Sequence, residues 1–350
     1  MMLTGGGDLA ENRARIRDVA ARAGVSTATV SNTLNHPEQV AGATRARVEQ
    51  AMAELNFVKN ASARQLRVGR SLMVGAIVLD ISNPFYTALI RGIEDRLAAD
   101  DCTLLICSSD EDPEREARFM RLFAEQGVRG VLLTPSGDPA EPLSYLSRLG
   151  IPVVLLDAES DQVSSVSVDH VAGARQAVSH LLDQGHRRIA FMNGPPDLRQ
   201  CRDRAQGAWE AVLAHGLDPA AVLVSQSLAS MSAATGQAGL ANLLDQPGPK
   251  PTAVFCVNDV VAMGVIRELR SRHLALPQDV AVVGYDDIPF AEELITPLSS
   301  VRQPMHDLGW SAVDLLLTEP DQPRHITFTP QLVVRASSRP FGPAGDRTQV

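Results

Sequence analysis

Three groups of side chains along this chain are candidates for reaction or recognition: neighbouring carboxylates, arginines beside apolar runs, and a pair of aromatics. The carboxylates are Asp110-Glu111-Asp112 and Asp286-Asp287. Paired acids suggest hydrolysis or a metal. Adjacent acids on an extended chain point opposite ways, however, and no histidine stands at ligand spacing beside either group. No Walker A loop, GxGxxG after a strand, GxSxG or HExxH is present. Cys102, Cys107, Cys201 and Cys256 form no CxxC and read as reduced thiols. The expectation is a protein that is not an enzyme and has no metal or cofactor. Recognition chemistry remains, because an arginine fork can hold a carboxylate or a pair of hydroxyls.

The elements that must position these groups fall into two parts. From Ser71 onward, short apolar runs alternate with amphipathic stretches of helical length. The runs are Leu72–Leu79, Thr103–Cys107, Gly130–Leu133, Val153–Leu156, Arg188–Met192, Ala253–Val257 and Val280–Val283. The stretches are Phe85–Ala99, Pro113–Gln126, Val171–Gln184, Cys201–His215, Ser232–Leu244 and Val260–Arg270. Such alternation predicts parallel sheets covered on both faces, and no internal repeat points to a solenoid or propeller. Ligands in open sheets of this kind sit beyond the carboxyl ends of the strands. The loops Asp80–Tyr86, Asn193–Arg204, Val257–Asp259 and Gly284–Asp287 are therefore the ones to search. Phe85 and Tyr86 are either core or a ligand-facing pair, and Asp259 is either a helix N-cap or an acceptor.

Residues 16–35, IRDVAARAGVSTATVSNTLN, are built differently. Ile16, Val19, Ala20 and Ala23 recur at helical spacing, Gly24 interrupts, and Val30 and Leu34 resume. A glycine at the break permits φ > 0 and a sharp helix end, and Ser26 stands where a second helix needs its N-cap. The result is a helix-turn-helix. An αα-hairpin in a bundle would carry Glu and Lys on its outer face. Here Ser26, Thr27, Ala28, Thr29, Ser31, Asn32 and Asn35 are small and uncharged, which suits a surface pressed against base edges. Thr44-Arg45-Ala46-Arg47 then opens a third helix through Val48, Met52 and Leu55.

The net charge of −9 is unevenly distributed. Residues 1–70 carry ten Arg and Lys against six Asp and Glu, a balance of +4, and the remaining 280 residues balance at −13. A basic head on an acidic body concentrates phosphate attraction in one place. The stretch MMLTGGGDLAENRAR has no apolar core and so does not read as a secretory signal. The longest apolar runs, such as Met73–Leu79, are far short of a bilayer span. A cytoplasmic, nucleoid-associated protein with no membrane partner is expected.

DVAARAGVS-x-x-TVS-x-x-LN, followed by TRARV, AMAELNF and ASARQL, resembles the DNA-binding segment of the LacI/GalR repressor family. The resemblance runs without a gap from Ile16 to Leu66 and continues along the later chain. It implies an all-α helix-turn-helix domain joined to a two-lobed α/β domain of the type I periplasmic-binding-protein fold. The implied layout is a tail at 1–14, the DNA-binding domain at 15–59, a hinge helix at 60–70, an effector-binding and dimerisation domain at 71–340, and a tail at 341–350. Its first lobe would take about 71–168 and 302–330, its second about 169–301 and 331–340. It also implies a ligand-responsive homodimer that binds a pseudo-palindromic double-stranded DNA operator, most naturally as a repressor. Thr27, Ala28 and Asn32 would read bases. Ser31, Asn35 and the basic residues, among them Arg15 and Arg45, would hold the backbone, and Ser26, Thr29 and Gln39 would be further DNA-binding positions. In the hinge, Leu66 would wedge into the minor groove beside Ala63 and Arg64. In the cleft, Phe85 and Tyr86 would cover one face of the effector. Arg204, Met231, Asp259 and Asp287 would complete the site. Arg199 and Arg202 would face solvent. A sugar or sugar-like effector suits these groups. A solute-binding or sugar-processing protein without DNA would leave the first seventy residues unexplained.

Several positions depart from the family pattern. Asn32 stands where many relatives carry arginine; arginine favours guanine, whereas asparagine can bond adenine or reach only a phosphate, so the half-site should differ at that base pair. Ala41 replaces a serine cap, Arg15 a Thr or Ser, and Lys59 a proline. Leu198 and Gln200 differ from the polar residues of purine-responsive relatives, which weighs against a nucleobase effector.

Overall fold

The structure, a computed structural model, describes residues 14–57 and 71–339. The chain forms two compact units, residues 1–70 and 71–350. In the first unit, α1 (Ile16–Ala23), α2 (Thr27–Asn35) and α3 (Gly42–Glu54) enclose a small core. Val19 and Ala23 of α1, Val30 of α2 and Val48 of α3 meet there, each brought inward by helical periodicity. Gly24 takes φ +65° and ends α1. Ser26 Oγ accepts the Thr29 backbone N–H at 3.0 Å and caps α2. Before α1, Arg15 supplies no side-chain cap; the Asp18 carboxylate instead accepts the Arg15 backbone N–H at 2.7 Å. Ala41 precedes α3 without a side-chain cap. Lys59 and the hinge residues Ala63, Arg64 and Leu66 lie outside the described residues, as do most of the 1–14 tail and all of the 341–350 tail.

The second unit contains two six-stranded sheets. The first is wholly parallel: β1 (Met73–Val78), β2 (Thr103–Ser108), β3 (Gly130–Leu133), β4 (Val153–Leu156), β5 (Ser165–Val168) and β11 (His325–Phe328), in the order β11-β5-β4-β3-β1-β2. The second holds β6 (Ile189–Asn193), β7 (Leu223–Ser227), β8 (Ala253–Cys256), β9 (Ala281–Asp286), β10 (Ser299–Arg302) and β12 (Gln331–Val333). Its order is β12-β10-β9-β8-β6-β7, and only the β10–β12 pair is antiparallel. The chain therefore crosses between sheets three times, after β5, after β10 and after β11.

Strand pleating explains why the runs are apolar throughout. Val74, Ala76 and Val78 of β1 pack with Leu89 and Ile93 of α4 (Pro84–Ala98), whereas Ile77 between them packs with Met120 and Phe123 of α5 (Pro113–Gln126). In the second sheet Phe191 and Phe255 stack at 5.1 Å on the face covered by α7 (His170–Asp183) and α8 (Arg199–Ala214). The opposite face of that sheet is covered by α10 (Ala233–Asp245) and α11 (Asp259–Ser271). Each such buried aliphatic or aromatic side chain contributes about 1.5–3 kcal/mol.

The short strands β5, β7, β10, β11 and β12 and the helices α6 (Ala140–Arg148), α9 (Pro219–Val222) and α12 (Met305–Thr318) are not evident in the apolar pattern. Serines interrupt β5 and β7, and β7, β11 and β12 lie at sheet edges, where pairing and not burial defines the strand. Among the described residues, no helix is long and apolar enough to cross a membrane.

Candidate functional site

The strand ends of both sheets converge on one cleft. Leu79 and Asp80 follow β1, Glu111 follows β2, and Asp157 follows β4. From the second sheet come Asn258 after β8, Asp286 at the end of β9, and Gln303 after β10. Gln200 and Arg204 project from the first turns of α8, and Met231 from the loop before α10.

Three of the four acids here sit at backbone angles that L-residues avoid: φ is +61° at Glu111, +52° at Asp157 and +104° at Asp286. Such strain costs about 1–3 kcal/mol per residue and persists only where the surroundings over-determine it. At Glu111 the surroundings are visible. Asp110, also left-handed, accepts from Ser108 Oγ at 2.6 Å and pairs with Arg115, while Asp112 caps α5. Glu111 is thereby turned inward, and its Oε1 accepts the Met231 backbone N–H at 3.4 Å across the cleft. A second bond between the sheets runs from Asn83 Nδ2 to Asp286 Oδ2 at 3.4 Å.

Arg204 is buried and tightly held. Its guanidinium lies 3.7 Å from the Tyr285 ring centre, donates to the Val257 carbonyl and reaches His170 Nδ1 at 3.3 Å. Asp286 Oδ1 is 3.9 Å away and also accepts from Gln303 Nε2 at 2.7 Å. Since a guanidinium only donates, His170 Nδ1 accepts, and its Nε2–H faces Asp157 Oδ1 at 3.3 Å. Burial, reinforced by the Arg204 charge, lowers the His170 pKa and keeps the ring neutral. Burial also raises Asp286 to about 6, against the opposing pull of Arg204. Burial likewise raises the Glu111 carboxyl, and the Met231 amide offsets part of that. The Tyr86 hydroxyl is raised by burial and by the surrounding acids, so the phenol stays protonated. It packs edge-to-face on Phe85 at 5.0 Å. Arg204 Nε and Gln303 Oε1 are buried without a hydrogen-bond partner, and Asp157 Oδ1 and His170 Nε2 have only each other, at 3.3 Å. Such groups cost stability unless a ligand or water completes them.

Of the residues expected in this cleft, Phe85, Tyr86, Arg204 and Met231 line it. Asp259 and Asp287 do not, and both expectations are corrected. Asn258 is the cap of α11, its Oδ1 accepting the Val261 N–H at 2.7 Å. One residue further on, the helix turns Asp259 into the protein. There it accepts from Ser300 Oγ at 2.6 Å and the Ile288 N–H at 2.9 Å. Asp287 accepts from Arg302 Nε at 2.7 Å and Arg335 Nη1 at 2.5 Å, tying β10 to the last described segment. Sequence reasoning missed Asp157, Asn258, Asp286 and Gln303, although strand-end position marked Asn258 and Asp286. It had weighed Glu111 and Asp286 only as catalytic pairs. Among the described residues, no His, Cys, Asp and Glu cluster is placed to hold a metal.

The first unit offers a polar groove lined by Ser26, Thr29, Asn32, Gln39, Thr44 and Arg47. Thr27, Ala28 and Asn32 are exposed along α2. Asn35 Nδ2 lies 3.3 Å from Ser31 Oγ, so these two side chains are engaged with each other. Arg45 is exposed and pairs with Glu49 at 3.7 Å, whereas Arg47 lines the groove. Arg15 is exposed at the start of α1. Thr44 and Arg47 were not singled out as contacts, because only helix register distinguishes them from Arg45.

Residues 178–338 match a periplasmic binding protein-like domain. The chain is similar to the HTH-type transcriptional repressor CytR of Escherichia coli strain K12, at 32% identity over 338 residues, covering 94% of this chain and 97% of that protein. It is similar to the ribose operon repressor of the same strain, at 34% over 334 residues, covering 93% and 100%. Among solved structures it resembles the lac repressor dimer bound to operator and the anti-inducer ONPF, with TM-score 0.80, 28% identity and coverage of 93% and 99%. It also resembles the transcriptional regulator CelR–cellobiose complex, with TM-score 0.68, 33% identity and coverage of 93% and 100%. Residues 15–60 match the bacterial regulatory proteins of the lacI family, and with these full-length relatives the chain belongs to that family.

Proposed function

We propose that this protein is a homodimeric transcriptional repressor. Its first unit grips a pseudo-palindromic operator, and its second unit binds a sugar-like effector that sets operator affinity. The observation that carries the proposal is the cleft whose walls come from both sheets and are joined by the Glu111–Met231 and Asn83–Asp286 bonds. A polyhydroxylated ring placed there would compete for or bridge these same groups, so its binding free energy differs between arrangements of the two lobes. The uncharged face of α2 would read base edges, with Asn32 suited to adenine. The groove's Arg47, with Arg15 and Arg45, would supply phosphate contacts. The hinge residues Ala63, Arg64 and Leu66 would couple the two units. The protein would act in the cytoplasm at its operators and without catalysis of its own.

By reciprocity, whatever factor the effector takes from operator affinity, the operator takes from effector affinity. The test is fluorescence anisotropy on a duplex found by binding-site selection, with and without a panel of sugars. A selected, salt-sensitive duplex whose affinity shifts with at least one sugar is the expected result. Absence of any preferred duplex overturns the DNA reading. Removal of residues 1–70 should abolish DNA binding and leave sugar binding intact.

A further inference from the structure

Within the reading of the cleft as the effector site, on which this inference rests, the lining has a strong charge bias. Its acids are Asp80, Glu111, Asp157 and Asp286, and its one cation is Arg204. That cation is already committed to the Val257 carbonyl, to His170 and to the face of Tyr285. Among the buried atoms without another partner, Gln303 Oε1 is an acceptor and Arg204 Nε a donor, while Asp157 Oδ1 faces His170 Nε2 at 3.3 Å. A cleft of this composition needs a ligand rich in donors. Hydroxyls both donate and accept, and ammonium groups donate; phosphate and carboxylate groups at neutral pH only accept. An anion would also face several carboxylates in a site largely shut off from solvent screening, where like charges repel strongly.

We propose that the cleft selects its effector by charge: neutral polyols and protonated amino sugars are admitted, phosphorylated and acidic sugars are rejected, and Glu111 is the specificity-determining residue. Glu111 holds this role because the left-handed Asp110-Glu111 pair turns its carboxylate inward. There it holds the Met231 amide of the opposite wall through one oxygen, Oε1. A ligand hydroxyl or ammonium that takes up this carboxylate therefore also touches a contact between the two lobes.

The test is calorimetric titration of the full-length protein with matched sets. These are D-ribose with its 5-phosphate, D-glucose with glucosamine and its 6-phosphate, cellobiose with cellobionate, and uridine with its 5′-monophosphate. For whichever neutral parent binds, the anionic derivative is expected to bind at least about tenfold more weakly, and an amino derivative no more weakly than the parent. Glu111→Gln, of the same shape, should narrow the gap between parent and anion at least about threefold. An anion that binds as tightly as its parent, or alone, overturns the charge selection and leaves the effector cleft standing. An unchanged gap in Glu111→Gln overturns the role of that residue. A panel in which no member binds overturns both this inference and the sugar-effector reading beneath it.

Discussion

The Arg204 guanidinium stacks 3.7 Å from the Tyr285 ring centre, and both residues converge on one imidazole: Tyr285 Oη lies 3.2 Å and Arg204 Nη2 3.3 Å from His170 Nδ1. The stack depends on an absent side chain. A Cβ on Gly173 would meet Tyr285 Oη at 2.2 Å, so α7 can approach β9 this closely only with glycine there. The cleft's cation is thus rigid before any effector arrives, and an arginine held this way spends little entropy on binding.

Arg204→Ala should cost about 3–5 kcal/mol of stability, because Asp286 and its neighbours would be left buried without their counter-charge. Urea unfolding measures this directly. Arg204→Lys, which keeps the charge but loses the fork and the stack, should weaken sugar binding by about tenfold or more. A lysine variant with unaltered affinity would sink the assignment of Arg204 as the central donor.

Asp286 gives the fold a defined pH dependence. Its carboxyl rises from an ordinary 3.8 to about 6 on burial. An acid whose pKa is higher in the folded state keeps its proton longer there. Its stabilising contribution is therefore full below 3.8 and is lost as pH climbs to about 6. Compared with Asp286→Asn, the wild-type protein should lose stability across that window and show no further divergence above it. Parallel stability curves for the two proteins would contradict this.

Asp259 and Gly284 form a structural unit behind the cleft. A Cβ on Gly284 would lie 2.0 Å from Asp259 Oδ1, so Gly284→Ala should destabilise by about 1–3 kcal/mol through overpacking. Asp259→Asn disturbs the bonds from Ser300 and Ile288 and should lower the melting temperature, with the effector preference order unchanged. A reordered preference in calorimetry would return Asp259 to the binding surface.

On DNA, Asn32 and Arg47 should behave differently although both line the same groove. Asn32→Ala should relax selection at one base pair, worth about 1–3 kcal/mol of discrimination. Arg47→Ala should weaken all sequences alike and reduce the slope of log affinity against log salt by about one. Selection followed by salt titration separates the two. Equal loss on every duplex for Asn32→Ala would remove it from the reading face.

Features that depend on near neighbours are legible along the chain. Gly24 ends a helix and Ser26 caps the next because the groups they satisfy lie within four residues. Apolar runs become two-faced parallel strands because pleating alternates their side chains between two layers. Arg204 stands out through the resemblance, whereas Glu111 reads along the chain only as one of three neighbouring acids with no catalytic or metal partner.

Which polar group faces the cleft is set by long-range packing. Asn258 points in and Asp259 points back; Asp286 points in and Asp287 turns to Arg302 and Arg335; Arg47 meets the groove while Arg45 pairs along its own helix. Each pair consists of adjacent or near-adjacent residues of similar type, so composition and spacing hardly separate them. What separates them is a left-handed backbone angle or a helix register imposed by partners tens to hundreds of residues away, such as Asn83 with Asp286 and Ser300 with Asp259. Those long-range contacts exist only once both sheets are assembled, and local spacing cannot contain them.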